Sequence, residues 1–191
     1  MVIRLEKGMG INLNKQGETL TKVRLGMGWD PSRSSAAFDL DASAFMLGSN
    51  GKATREEDFV FYNNLSDASG ALEHSVDDRT GGSSLDGDDE YIIVDLSKVQ
   101  EKYEKIIFVV TIDEYESRRQ NFGMVDNAYV RLINEQNGSE IARFDLTEDM
   151  STATALTFCE LKRESGDWSF NIIGQGENVN LNAFLMRYGL A

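Results

Sequence analysis

Residues 77–90 read Asp77-Asp78-Arg79-Thr80-Gly81-Gly82-Ser83-Ser84-Leu85-Asp86-Gly87-Asp88-Asp89-Glu90, six carboxylates in fourteen residues with Arg79 as the one basic side chain. Carboxylates this crowded repel one another and raise each other's pKa unless a cation sits among them. Calcium suits such a segment best. It takes roughly six to eight hard oxygen ligands in flexible geometry, and the glycines let backbone carbonyls turn inward as further ligands. Magnesium wants fewer protein ligands and a stricter octahedron. Zinc and softer metals are disfavoured, because only His74 and Cys159 offer nitrogen or sulfur and they lie far apart in the chain. An EF-hand is excluded by register: counting from Asp86, Tyr91 stands where the loop glycine belongs and Ser97 where the bidentate glutamate belongs. The bland alternative is a solvated acidic loop that binds nothing.

Loops gathered at one end of a two-sheet fold draw ligands from several parts of a chain. Asp30, Asp39 and Asp41 are the natural contributors. Asp39 and Asp41 stand two residues apart in Phe38-Asp39-Leu40-Asp41. In a strand both point to one face while Phe38 and Leu40 point to the other, so the pair could share a cation or simply face solvent.

Catalytic signals are weak. His74 is the only histidine, and no nucleophile motif accompanies it. Cys159, the only cysteine, sits beside Thr157, Phe158 and Leu161 and reads as a small core residue. Gly8-Met9-Gly10, Gly26-Met27-Gly28 and Gly174-Gln175-Gly176 lack the third glycine of a dinucleotide loop; Leu13, Pro31 and Val179 occupy that position. Trp29, Trp168, Phe59 and Phe61 read as core or loop anchors, and Arg118 with Arg119 as a weak partner surface.

The elements that must hold these residues are mostly strands. Residues 2–5, 23–27, 38–47, 59–62, 91–96, 128–133, 140–146 and 168–172 alternate apolar and polar side chains. Residues 106–112 are nearly continuous apolar sequence, as in a central strand buried on both faces. Ser49-Asn50-Gly51 and Gln136-Asn137-Gly138 carry the Asn-Gly signal of tight hairpins. Helical signals are few: a short turn over 97–103, a polar helix or loop over 114–125, and a C-terminal helix over 180–188 closed by Gly189. Many short strands without βαβ alternation predict an all-β, antiparallel two-sheet β-sandwich with a few short peripheral helices, as one domain over residues 1–191.

A net charge of −13 opposes binding to a nucleic acid backbone. A lone cysteine closes no internal disulfide and fits a reducing compartment. Neither a signal-peptide apolar run near the start nor a span of about 20 apolar residues is present. The expectation is a cytoplasmic protein with no direct membrane insertion.

The chain resembles the bacterial tellurium-resistance and general-stress family typified by TerD, TerE and TerZ. The resemblance spans nearly the whole length. It rests on Leu25-Gly26-Met27-Gly28-Trp29-Asp30, Phe38-Asp39-Leu40-Asp41-Ala42-Ser43, Phe59-Val60-Phe61-Tyr62-Asn63-Asn64, the acidic loop and Phe108-Val109-Val110-Thr111-Ile112. It continues through Arg119-Gln120-Asn121-Phe122-Gly123, Ile141-Ala142-Arg143-Phe144-Asp145-Leu146-Thr147-Glu148-Asp149 and Gly174-Gln175-Gly176. The resemblance implies a β-sandwich holding calcium, as a pair of ions, with ligands at Asp30, Asp39, Asp41, Asp77, Asp78, Asp86, Asp88, Asp89 and Glu90. The chain departs from the family loop Gly-Asp-Asn-x-Thr-Gly at Val76 and Asp78, which bears on affinity. The resemblance further implies a non-enzymatic stress-response module acting through other proteins of a resistance system, including a membrane-associated complex. Two competing readings stay open: a metal-assisted hydrolase using the same carboxylates, and an interaction module that binds no metal.

Overall fold

Strands with one apolar face must bury it, and here two six-stranded sheets bury theirs against each other. The computed structural model describes residues 3–4, 7–13, 20–30, 38–82, 87–146 and 150–191. Its strands are β1 (Ile3–Arg4), β2 (Gly10–Asn12), β3 (Lys22–Gly28), β4 (Leu40–Leu47), β5 (Phe59–Val60), β6 (Leu72–His74), β7 (Glu90–Asp95), β8 (Lys105–Ile112), β9 (Tyr129–Asn134), β10 (Ser139–Asp145), β11 (Ala155–Glu164) and β12 (Asp167–Glu177). One sheet runs β1-β10-β9-β3-β7-β6 and the other β2-β12-β11-β8-β4-β5. Every pairing is antiparallel except the short parallel contact of β1 with β10. The predicted antiparallel sandwich is the observed fold.

The main core lies between the sheets and includes Leu25, Leu40, Met46, Ile92, Phe108, Leu132, Phe158 and Phe170. A second core sits on the outer face of the β4–β8 sheet. There Phe45, Leu47, Phe59, Ile107 and Val109 pack beneath Phe184 of α2 (Leu181–Tyr188). This explains the unbroken apolar run of β8: Ile106, Phe108 and Val110 face the sandwich interior, while Ile107 and Val109 face the helix. The helix has the predicted ends. Asn180 Oδ1 accepts the Ala183 N–H at 3.3 Å, and Gly189 closes it at φ 86°.

Several local expectations change. Gln136-Asn137-Gly138 does join the antiparallel pair β9 and β10. Asn50-Gly51 makes a tight turn, with Gly51 N–H donating to Gly48 O at 2.9 Å, but no hairpin follows it directly. The chain instead passes through a 3₁₀ turn at Glu56–Asp58 before β5 pairs with β4. That detour is fixed by buried Asp58, which accepts from Thr54 N and Oγ1, Arg55 Nε and Tyr103 OH. Residues 97–103 form turns only. The 114–125 segment splits into α1 (Tyr115–Arg118) and a 3₁₀ turn at Phe122–Met124. Val2 and Leu5 lie outside the described residues. Among the described residues, no helix is long and apolar enough to cross a membrane.

Candidate metal centre

Asp39, Asp41 and Asp77 each place a carboxylate oxygen within 4.8 Å of the others. Two-residue alternation explains the first two: Phe38 and Leu40 enter the sandwich core, and Asp39 and Asp41 take the opposite side. Pairing with β8 fixes this end of β4, with Leu40 opposite Ile112 and Asp41 opposite Thr111. Just before the strand, Asp39 O accepts the Asp113 N–H at 2.9 Å. Asp77 arrives from the segment that follows β6 in the other sheet. The site thus forms where loops of both sheets meet.

Burial governs its electrostatics. Asp39 and Asp41 are 9% and 7% exposed, too little for water to dissipate two adjacent charges. Loss of hydration, then the nearby carboxylates of Asp39, Asp113 and Asp77, push Asp41 up to about 7. Asp39 is raised for the same reasons, by burial first and by Asp77 and Asp113 next. Arg79 offsets only part of this; it pairs with Asp77 Oδ2 at 3.0 Å from an exposed position. Among the described residues, Asp39 Oδ1 is buried and has no hydrogen-bond partner. An acceptor left without a donor inside a cluster of oxygens is what a bound hard cation would satisfy.

The other carboxylates of the loop have different occupations. Glu90, at the start of β7, is fully buried; its Oε2 accepts Ala42 N–H at 2.8 Å and its Oε1 accepts Asp78 N–H at 3.2 Å. Burial drives it up to about 9 against those two donors. Asp78 Oδ1 closes a local turn by accepting from Thr80 N and Gly81 N at 3.0 and 3.1 Å. Asp89 accepts Trp29 N–H at 2.8 Å and Gly82 N–H at 2.6 Å. Asp88 leaves the loop end altogether, pairing with Arg131 Nε at 2.6 Å over the β3–β9 ladder. Asp30 is exposed and accepts Asn127 Nδ2 at 2.5 Å. Asp86 lies outside the described residues.

The two glycines before Trp29 have packing causes. A Cβ on Gly26 would lie 2.1 Å from Asp88 Oδ2, and one on Gly28 2.4 Å from the Gly87 carbonyl. These positions must stay bare for the acidic loop to fold over β3.

Two neighbours reach the site through the fold rather than through a local motif. Asp113 acts on Asp39 and Asp41 only because antiparallel register brings the end of β8 beside the start of β4. His74 ties the sheets together: Nδ1 lies 2.7 Å from Ser75 O and Nε2 2.8 Å from Ala42 O. Carbonyl oxygens only accept, so both ring nitrogens are turned toward acceptors.

The TerD domain matches residues 1–188 of the chain. The tellurium resistance protein TerD of Serratia marcescens is 47% identical over 191 residues, covering 100% of this chain and 98% of that one. General stress protein 16U of Bacillus subtilis (strain 168) is 44% identical, covering 100% and 98%. A crystal structure of a homologue of telluride resistance protein TerD from Streptomyces coelicolor A3(2) superposes with a TM-score of 0.73. It is 23% identical and covers 86% of this chain and 95% of that one, which establishes the shared fold. The chain belongs to the TerD family, whose named relatives are tellurium resistance and stress proteins.

Proposed function

We propose that this protein is a non-enzymatic calcium-binding member of the stress-response type, with its metal centre built on Asp39, Asp41 and Asp77. The observation that carries the reading is the buried Asp39 Oδ1, which lacks a donor among the described residues inside a three-carboxylate cluster. The donor set consists of hard oxygens, which favours calcium over zinc or copper. A glycine-containing loop that can add backbone carbonyls favours calcium over magnesium.

Two observations support a role without turnover. His74 directs both ring nitrogens at backbone carbonyls, so no nitrogen is free to take a substrate proton. Cys159 is fully buried and its thiol is pushed far up by burial, which removes it from thiol chemistry on an oxyanion such as tellurite. Protection would therefore be indirect: the cation-ordered loop end engages other proteins of a cytoplasmic resistance system.

Thermal unfolding of chelator-treated protein, repeated with calcium and with magnesium, tests the reading. Calcium at about one hundred times its Kd should stabilise by about 2.7 kcal/mol, and magnesium at the same concentration by much less. Equal curves with and without calcium would overturn it.

A further inference from the structure

The outer face of the β4–β8 sheet carries an acidic, aromatic groove that meets the metal centre at Asp41 and otherwise extends away from it. Two adjoining cavities of about 270 and 570 Å³ share Tyr62, Leu181 and Asn182 along their common border. The smaller is lined by Asp41, Asp113, Glu114 and Glu116. The larger is apolar at its base, with Phe59, Phe61, Leu185 and Leu190, and has exposed Glu56 and Glu57 on its rim. Among the described residues, no Lys, Arg or His lines either cavity. Arg118 compensates part of the charge from outside, 2.9 Å from Glu114.

The floor is rigid. Rings of Tyr188, Phe45, Phe59, Phe61 and Tyr62 follow one another with centroids 4.8, 4.4, 4.3 and 5.0 Å apart. The series begins at half-buried Tyr188, passes through fully buried Phe45 and ends at Tyr62, which is 39% exposed; nearby Leu65 is 44% exposed. A pre-formed apolar trough needs little ordering to receive a ligand. Carboxylates at both ends exclude an acidic partner and select a basic one.

We infer that this groove binds a protein segment in which apolar side chains are flanked by Lys or Arg. The apolar residues lie between α2 and the Phe59–Tyr62 edge, and the basic residues meet Glu56 and Glu57 at one end and Asp113 and Glu116 at the other. The same charges repel the anionic surface of a membrane. The Glu56 and Glu57 end stands apart from calcium, because neither residue belongs to the metal centre.

The test uses the full chain in chelator and a fluorescent synthetic peptide with two leucines between Lys-Arg pairs. A matched peptide with glutamates in place of Lys and Arg is the control. Saturable anisotropy for the basic peptide alone is expected, with amide shifts confined to residues 56–65, 113–116 and 181–190. Reversing the exposed rim with Glu56→Lys/Glu57→Lys should weaken binding about tenfold or more, with a steep salt dependence. Tyr62→Ala, at an exposed ring, should weaken it without changing that salt dependence. Absence of binding, equal binding of the acidic peptide, or full affinity in the charge-reversed variant would overturn the inference. So would preferential binding to anionic phospholipid vesicles, or self-association of the chain that the charge-reversed variant abolishes.

Discussion

Glu90 of β7 accepts a hydrogen bond from the backbone N–H of Ala42 in β4 at 2.8 Å, so one carboxyl spans the two sheets directly beside Asp41. The residue that sequence reasoning offers as a ligand thereby acts in this structure as a strut. It ties the start of β4 to the acidic loop through its second oxygen, which accepts from Asp78 N.

Removing that strut with Glu90→Ala leaves two backbone donors without their acceptor at a poorly hydrated site. The expected cost is about 2–4 kcal/mol, one to two unsatisfied groups' worth. Urea unfolding reads it directly, and an unchanged midpoint would show that Glu90 holds nothing together.

The raised carboxyls set a pH dependence for the metal-free protein. Asp41 moves from 3.8 to about 7 and Glu90 from 4.5 to about 9, so the folded state holds protons that the unfolded state has released. Stability from these groups is therefore complete below about pH 4 and declines as pH rises toward 7 and then 9. On the proposed reading calcium competes with the proton on Asp41, so its affinity should rise with pH up to about 7 and its binding should release protons. Unfolding midpoints in chelator across this range, and calorimetry in buffers of different ionisation enthalpy, check the two halves.

Gly26→Ala should be costly although no unusual backbone angle is involved. The added methyl would occupy the place of the Asp88 carboxylate, displacing it from Arg131. Overpacking together with a disturbed buried ion pair predicts about 2–4 kcal/mol of destabilisation. Thermal denaturation of the variant in chelator checks this, separately from any effect on metal binding.

Phe184→Ala tests the second core. Phe184 is 0% exposed between α2 and the outer face of β4 and β8, and truncation should cost about 3–5 kcal/mol. Faster amide exchange should follow in residues 181–188 and spare β3 and β9.

Much of this was legible in the residues themselves. The apolar run over 106–112 announced a strand covered on both sides, and α2 supplies the second cover. Asn180 and Gly189 marked both ends of that helix. The alternation through Phe38, Asp39, Leu40 and Asp41 placed two carboxylates on one face, as found. The fate of the remaining acids was hidden because it depends on distant partners. Asp88 is drawn away by Arg131, 43 residues along the chain, and Asp113 joins through strand register. Local charge density announces a crowded loop; only the fold decides which carboxylates stay crowded.

The proposed function depends on calcium at the Asp39–Asp41–Asp77 cluster. The most direct measurement is a calorimetric calcium titration of chelator-treated wild type and of Asp41→Asn. Wild type should bind saturably. The variant should lose that heat at this site while its metal-free form becomes more stable by about 1–3 kcal/mol, because each tenfold rise in proton affinity is worth about 1.4 kcal/mol. Saturable binding in Asp41→Asn with unchanged affinity, or no binding in the wild type, would contradict the account.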